Sequence, residues 1–207
     1  MRLKLFLGLV LSLFVHQAGA AELAGDTKVP FSAERTVIFN GKTYHGKIYA
    51  VPGRQRHDQD VNGLHPVVLL RADLQMAYLM LPELHIYAEF PFPKSVTEYG
   101  GVEQLGQPIG SATVAGQETR QYRVERTGSD TSVLDGSVWM TPDGIVVKID
   151  GTYSEPGHKI TKGTVELSNI VRAPQDPSLF ELPPKMTKLT PEAVQALFSL
   201  RLPKLKG

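Results

Sequence analysis

The chain reads as mainly β: a curved antiparallel sheet, or open half-barrel, with a short C-terminal helix packed on or near its concave side. Three observations predict this. The dipeptides Asn40-Gly41, Pro52-Gly53 and Asn62-Gly63 punctuate runs rich in Val, Ile, Leu, Tyr and Met. Apolar and polar residues alternate with period two over short stretches, the signature of half-buried strands. Only Ala72-Asp73 and Pro82-Glu83 separate the apolar runs between Val67 and Phe90, and breaks that short suit a meander of strands better than helices.

The N-terminus is set aside before the elements are read. Arg2 and Lys4 precede an apolar run from Leu5 to Val15, and Ala18-Gly19-Ala20 follows with the small residues a signal peptidase accepts. The run is too short for a bilayer core, which needs roughly 20 residues in a helix. Residues 1–20 are therefore expected to be a cleaved signal peptide. Residues 21–30 follow as a polar, frayed leader, and 31–207 as a single β-rich domain in the periplasm.

The strands follow in order. Phe31, Ala33, Val37 and Phe39 share one face, against Ser32, Glu34 and Thr36 on the other. Asn40-Gly41 is a favoured hairpin dipeptide, because both central positions need positive φ. Thr43–Val51 then returns, Pro52-Gly53 turns into Arg54–Val61, and Asn62-Gly63 turns again. Val67–Arg71, Leu74–Leu81 and Leu84–Phe90 are apolar on both faces, which places them between two layers. Pro91–Pro108 breaks the rhythm and holds at most a short helix around Ser95–Tyr99. Strands resume at Ala112–Ala115 and Thr119–Glu125. A second meander, Ser137–Thr141, Ile145–Tyr153 and Lys159–Ile170, turns through Asp135-Gly136, Asp143-Gly144 and Pro156-Gly157. Thr190 is a good N-cap, with Pro191 and Glu192 suited to the first turn of a helix over about 191–201.

Composition removes several functional classes. The full chain carries a formal charge of +1, and loss of Arg2 and Lys4 makes it slightly acidic, so it shows no footprint for nucleic acid and no polybasic membrane patch. With no cysteine there are no disulfides, thiolate metal sites, cysteine nucleophiles or lipid-modified cysteine anchors. The mature protein is expected to be soluble and unanchored. His57-Asp58-Gln59-Asp60, with His45 and His65 nearby, invites a metal. However, alternation puts His57 and Asp58 on opposite faces, whereas ligands must converge at about 2 Å. No metal and no cofactor is expected, and Arg54–Val61 reads as a solvated strand with charge pairs among Arg54, Arg56, Asp58 and Asp60. The G-x-S-x-G, H-E-x-x-H, P-loop and G-x-G-x-x-G motifs are all lacking, so no catalytic residue is assigned.

The stretch Asp176-Pro177-Ser178-Leu179-Phe180-Glu181-Leu182-Pro183, behind an exported antiparallel sheet, resembles the LolA/LolB-like periplasmic lipoprotein-binding superfamily and its uncharacterised relatives. Gly53–Asp58, and the stretch containing Leu81-Pro82 and Tyr87, are similar to corresponding parts of those relatives. The resemblance covers roughly residues 31–183. It implies a curved, incomplete β-barrel covered by helices, whose apolar concavity holds acyl chains; residues 94–105 and 190–201 are the segments placed to serve as lids.

The apolar cavity candidates are accordingly Val67, Leu69, Met76, Tyr78, Met80, Ile86, Trp139, Leu197 and Phe198. Methionine suits irregular, changeable contacts. Trp139 packs in the core or lines a cavity wall, and alternation alone leaves both open. Each buried CH₂ contributes about 0.8 kcal/mol, so a chain of about twelve carbons offers near 10 kcal/mol gross. At least about 4 kcal/mol of ordering and association cost comes off that, against about 8 kcal/mol for micromolar binding. One acyl chain is marginal to sufficient; two are comfortable. The expected function is non-catalytic binding of a lipid, acyl chain or lipoprotein anchor. The rival is an envelope protein-interaction module using a sheet face or edge. A hydrolase whose triad is assembled from distant residues stands third.

Overall fold

The computed structural model describes residues 27–39, 41–61, 63–91, 105–127, 133–154 and 160–201. The expected signal peptide, Asn40, Asn62, the expected short helix around Ser95–Tyr99 and the Pro156-Gly157 turn lie outside them.

Twelve strands are described, followed by one helix: β1 (Phe31–Phe39), β2 (Lys42–Val51), β3 (Arg54–Gln59), β4 (Val67–Arg71), β5 (Met76–Leu81), β6 (Ile86–Pro91), β7 (Gly110–Val114), β8 (Gln117–Thr127), β9 (Val133–Met140), β10 (Val146–Ser154), β11 (Thr161–Val171), β12 (Thr187–Lys188) and α1 (Pro191–Arg201). They form one sheet in the order β12-β6-β5-β4-β3-β2-β1-β11-β10-β9-β8-β7. Two meanders, β1–β6 and β7–β11, are joined where β1 pairs antiparallel with β11. β12 adds to β6 in parallel, the sole parallel pairing in the sheet as described.

The sheet is open and curved. Arg172, just past β11, donates to Gln117 Oε1 of β8 at 2.9 Å, and Val114 of edge strand β7 packs against the cluster of Phe31, Ile48, Ile145 and Val147. In a flat sheet β8 and β11 would stand about 14 Å apart, three strand spacings. Register shifts between Ser32 and Glu34 on β1 and between Val146 and Lys148 on β10 add local bends.

Gly136 corrects the sequence reading. Asp135-Gly136 is no turn but the middle of β9, with Gly136 opposite Gly151. A Cβ on Gly136 would lie 2.4 Å from Asp150 O, so close backbone approach, not turn geometry, requires the glycine here. The leader is also partly anchored. Lys28 N donates to Asp143 O at 3.1 Å, Thr27 is buried, and Val29 packs on the β1–β2 core.

The β4–β5 and β5–β6 connections are the same turn used twice. Ala72–Leu74 and Pro82–Leu84 are single 3-10 turns, closed by Gln75 and His85, each at φ 53° and ψ 38°. At the end of the chain Thr190 caps α1, its Oγ1 accepting from Ala193 N at 3.2 Å. Val194, 2% exposed, drives the helix onto Val68, Leu70, Leu79, Leu81 and Ala88.

Candidate functional site

Alternation and register define two faces of the sheet. The inner face, under α1, is built from cross-strand rows. One row runs Tyr122–Val138–Ile149–Val165–Val37–Tyr44 from β8 to β2. Another runs Ala33–Ile48–His57–Val68–Leu79–Ala88 from β1 to β6. Every member of both rows except His57 is apolar or aromatic, and most of them are buried, so this face is a continuous apolar ribbon across most of the sheet. α1 and Leu189 pack on its β4–β6 end.

The outer face of the first meander carries most of the sequence candidates. Val67, Leu69 and Met80 are buried there, with Tyr78 and Tyr87 against them, and the chain's own Leu182 and Met186 pack over the cluster. Three arginines hold that covering segment down. Arg71 donates to Phe180 O at 3.1 Å and pairs with Glu181 at 3.1 Å. Arg54 Nη1 lies 3.5 Å from Glu181, and Arg56 Nη1 reaches Leu179 O at 3.4 Å. Arg71 also forms a two-pronged pair with Asp73, both contacts at 2.8 Å. That pair, more than the opposing cost of burial, raises the guanidinium's pKa and lowers the carboxyl's. Asp176 closes the segment's start by accepting from Ser178 N at 2.9 Å.

The sequence candidates therefore do not converge on one cavity. Val67, Leu69, Met76, Tyr78 and Met80 share the outer face, Ile86 lies on the inner face with Val194, and Leu197 is half-buried on α1. The Phe198 side chain lies outside the described residues. Trp139 is on the outer face of the other meander, with Lys148 Nζ 5.4 Å over its ring. It borders an open depression of about 350 Å³ floored by Gly136 and Gly151 and flanked by Arg123, Asp135, Asp150 and Lys162. Arg123 Nη2 meets Asp135 Oδ1 there as an ion pair without hydrogen-bond alignment.

The polar strand β3 is the larger correction. Gln55, His57 and Gln59 are buried, while Arg54, Arg56 and Asp58 form its outer side. Their inward row meets Arg35 of β1, which is 3% exposed. Arg35 Nη1 donates to Gln59 Oε1 at 2.8 Å, and Gln59 Nε2 donates to His45 O at 2.8 Å. His57 Nε2 lies 3.0 Å from Gln55 Oε1. Burial pulls the Arg35 pKa down to about 9, so it remains a cation at neutral pH. Burial first and the Arg35 charge second hold His57 well below its ordinary value, so its ring is neutral. The reach from β1 to β3 passes over Gly46 of β2, where a Cβ would lie 2.1 Å from Asp58 O. Arg35 occupies the buried phase of Phe31-Ala33-Arg35-Val37-Phe39. The alternation that located the apolar face includes this position, but the sequence reading did not single Arg35 out.

Among the described residues no group of three or more His, Asp or Glu converges to hold a metal. Nor does a described histidine join a hydroxyl to a carboxylate. His45 faces Thr36, His65 faces Glu83 and His57 faces Gln55. No described helix is long and apolar enough to cross a membrane.

No protein-family model matches the chain, and no curated protein matches it. Solved structures do. An uncharacterized conserved protein from Thermus thermophilus superposes with a TM-score of 0.50 at 10% identity, over 85% of this chain and 99% of that one. MucB of Pseudomonas aeruginosa, in its complex with MucA, gives 0.48 at 19% identity, over 84% of this chain and 64% of that one. The LolA superfamily protein NE2245 from Nitrosomonas europaea gives 0.43 at 9% identity, over 79% and 97%. At these identities the likeness is one of fold. A LolA superfamily protein is thus one of the structural neighbours.

Proposed function

We propose that this chain is an exported, non-catalytic binding protein that takes an apolar ligand on the inner face of its sheet. The ligand is a lipid, an acyl chain or the acylated anchor of a lipoprotein. The carrying observation is the pair of cross-strand rows that keeps this face apolar from β8 to β6. A two-layer domain ordinarily opposes such a face with a second layer of its own. Here the described cover is α1 and Leu189 over the β4–β6 end, Leu105 against Val138, and Val61 against Val37 and Tyr44, with no second sheet among the described residues. The expected periplasmic location supports the same reading, because acyl chains there need shelter from water.

Solvent extraction of the purified protein, followed by mass spectrometry, should recover acyl species, and a fluorescent fatty acid should titrate to saturation. Trp139 faces away from the apolar rows, so its emission serves as a silent internal control. Extraction without lipid, together with no probe uptake, defeats the proposal.

One observation favours a second reading. β7 is the last strand in the order, and its residues Gly110–Thr113 are exposed. An open edge of this kind can accept a strand from an envelope partner. Binding of a partner by a protein that takes up no lipid would support that reading.

A further inference from the structure

The buried polar cluster on the inner face is built like a receptor. Arg35 stands among apolar neighbours, with Ala33 and Val37 beside it on β1 and Leu167 opposite it on β11. Its single hydrogen bond among the described residues goes to the neutral amide of Gln59, and no described carboxylate pairs with it. A buried cation is normally paired, since taking it out of water costs several kcal/mol. The ion-paired arginines of the outer face show the ordinary arrangement in the same molecule. Two strands away His57, 5% exposed, has a ring Nδ1 with no partner. With Nε2–H donating to Gln55 Oε1, that nitrogen is a bare acceptor.

Two complementary demands therefore sit on one greasy face. Free guanidinium N–H groups call for acceptor oxygens, and a lone pair calls for a donor. A carboxylic acid supplies both, with two oxygens and one exchangeable proton. We infer that Arg35 and His57 seat the carboxyl headgroup of a single-chain fatty acid whose tail lies along the apolar rows. Its oxygens accept from the Arg35 guanidinium, and one proton taken up from solvent on binding is shared between a carboxyl oxygen and His57 Nδ1. No covalent bond changes. The headgroup assignment rests on the apolar-ligand proposal and narrows it from any lipid to an acid.

The experiment compares palmitate, methyl palmitate and hexadecyl phosphate by calorimetric titration into the full protein, then repeats the titrations with Arg35→Met. Palmitate is expected to bind at least ten-fold more tightly than its ester. Arg35→Met should erase that difference, chiefly by lowering palmitate affinity. Equal affinity for acid and ester overturns the headgroup seat but leaves the apolar-ligand proposal standing. Failure of all three ligands overturns both. Preference for hexadecyl phosphate overturns the carboxyl assignment.

A stability measurement separates this role from a merely structural tie between β1 and β3. If Arg35 is kept for a ligand, its replacement by an apolar side chain of similar length should hold or raise the urea midpoint. If Arg35 is a structural tie, the midpoint falls. The comparison of acid with ester in the unsubstituted protein stands whatever happens to the variant.

Discussion

Arg35 keeps its charge through the neutral range in a place that denies it water, and this has a signature in alkali. Its folded pKa, about 9, lies below the ordinary guanidinium value, so the unfolded chain holds that proton more tightly than the native one. Stability then rises with pH wherever the unfolded state binds more protons, which for this group begins near pH 9. The difference in urea midpoint between wild type and Arg35→Met should therefore shrink as pH climbs past about 9. A difference constant from pH 7 to 10.5 would contradict this. Asp73 behaves in the opposite sense. Its pKa is lowered chiefly by the Arg71 hydrogen bond, so its contribution is full above the unfolded value and fades as pH falls through the folded one. Asp73→Asn should be less stable than wild type at pH 7, and the two denaturation curves should merge in strong acid. At this scale the sequence was half legible. The buried phase of β1 includes Arg35, yet period two cannot say whether an arginine at such a position buries or lifts its head to water. The outer-face arginines find their partners at Leu179–Glu181, more than a hundred residues further on, a distance no local pattern spans.

The paired 3-10 turns are where local sequence and local strain meet. Gln75 and His85 close them in the left-handed region, which costs a residue with a side chain about 1–2 kcal/mol. Glycine relieves this and returns part of the gain as unfolded-state entropy. His85 is exposed, so His85→Gly should stabilise the fold by about 0.5 kcal/mol, seen as a small rise in urea midpoint. Gln75→Gly should gain less, because the Gln75 side chain donates to Ala72 O at 2.9 Å. The elements β4–β6 and α1 were readable because apolar runs, tight breaks and a capping threonine each have one short-range cause, although β5 and β6 begin two residues later than expected, after the 3-10 turns that take up Leu74 and Leu84. Asp135-Gly136 was misread for an equally physical reason. A glycine demanded by a neighbouring backbone and a glycine demanded by a turn look alike in sequence, and only the pairing of β9 with β10 tells them apart.

Across the whole molecule, the C-terminal segment covers both sides of the β4–β6 block. Leu182 and Met186 lie on the outer side, and Val194 of α1 lies on the inner side. The two-layer surroundings of that block were legible from its double apolarity; the identity of the layers was not, because they come from the far end of the chain. If α1 and a ligand compete for the inner face, Val194→Asp should loosen the helix, since an unpaired carboxylate is costly where Val194 now sits. A fluorescent fatty acid should then bind several-fold more tightly, with the β-sheet circular dichroism retained. Unchanged affinity in a folded variant would separate the helix from ligand entry.

The seam between β1 and β11, which aligns Ser32 with Val171, also governs how the protein comes into being. Synthesis delivers the first meander long before the strand that must complete it. Until Thr161–Val171 emerges, β1 offers an uncapped hydrogen-bonding margin beside a half-finished oily surface. Contacts so distant along the chain make folding slow, and such margins recruit the wrong neighbours while they wait. Premature termination anywhere before β11 should accordingly yield insoluble product.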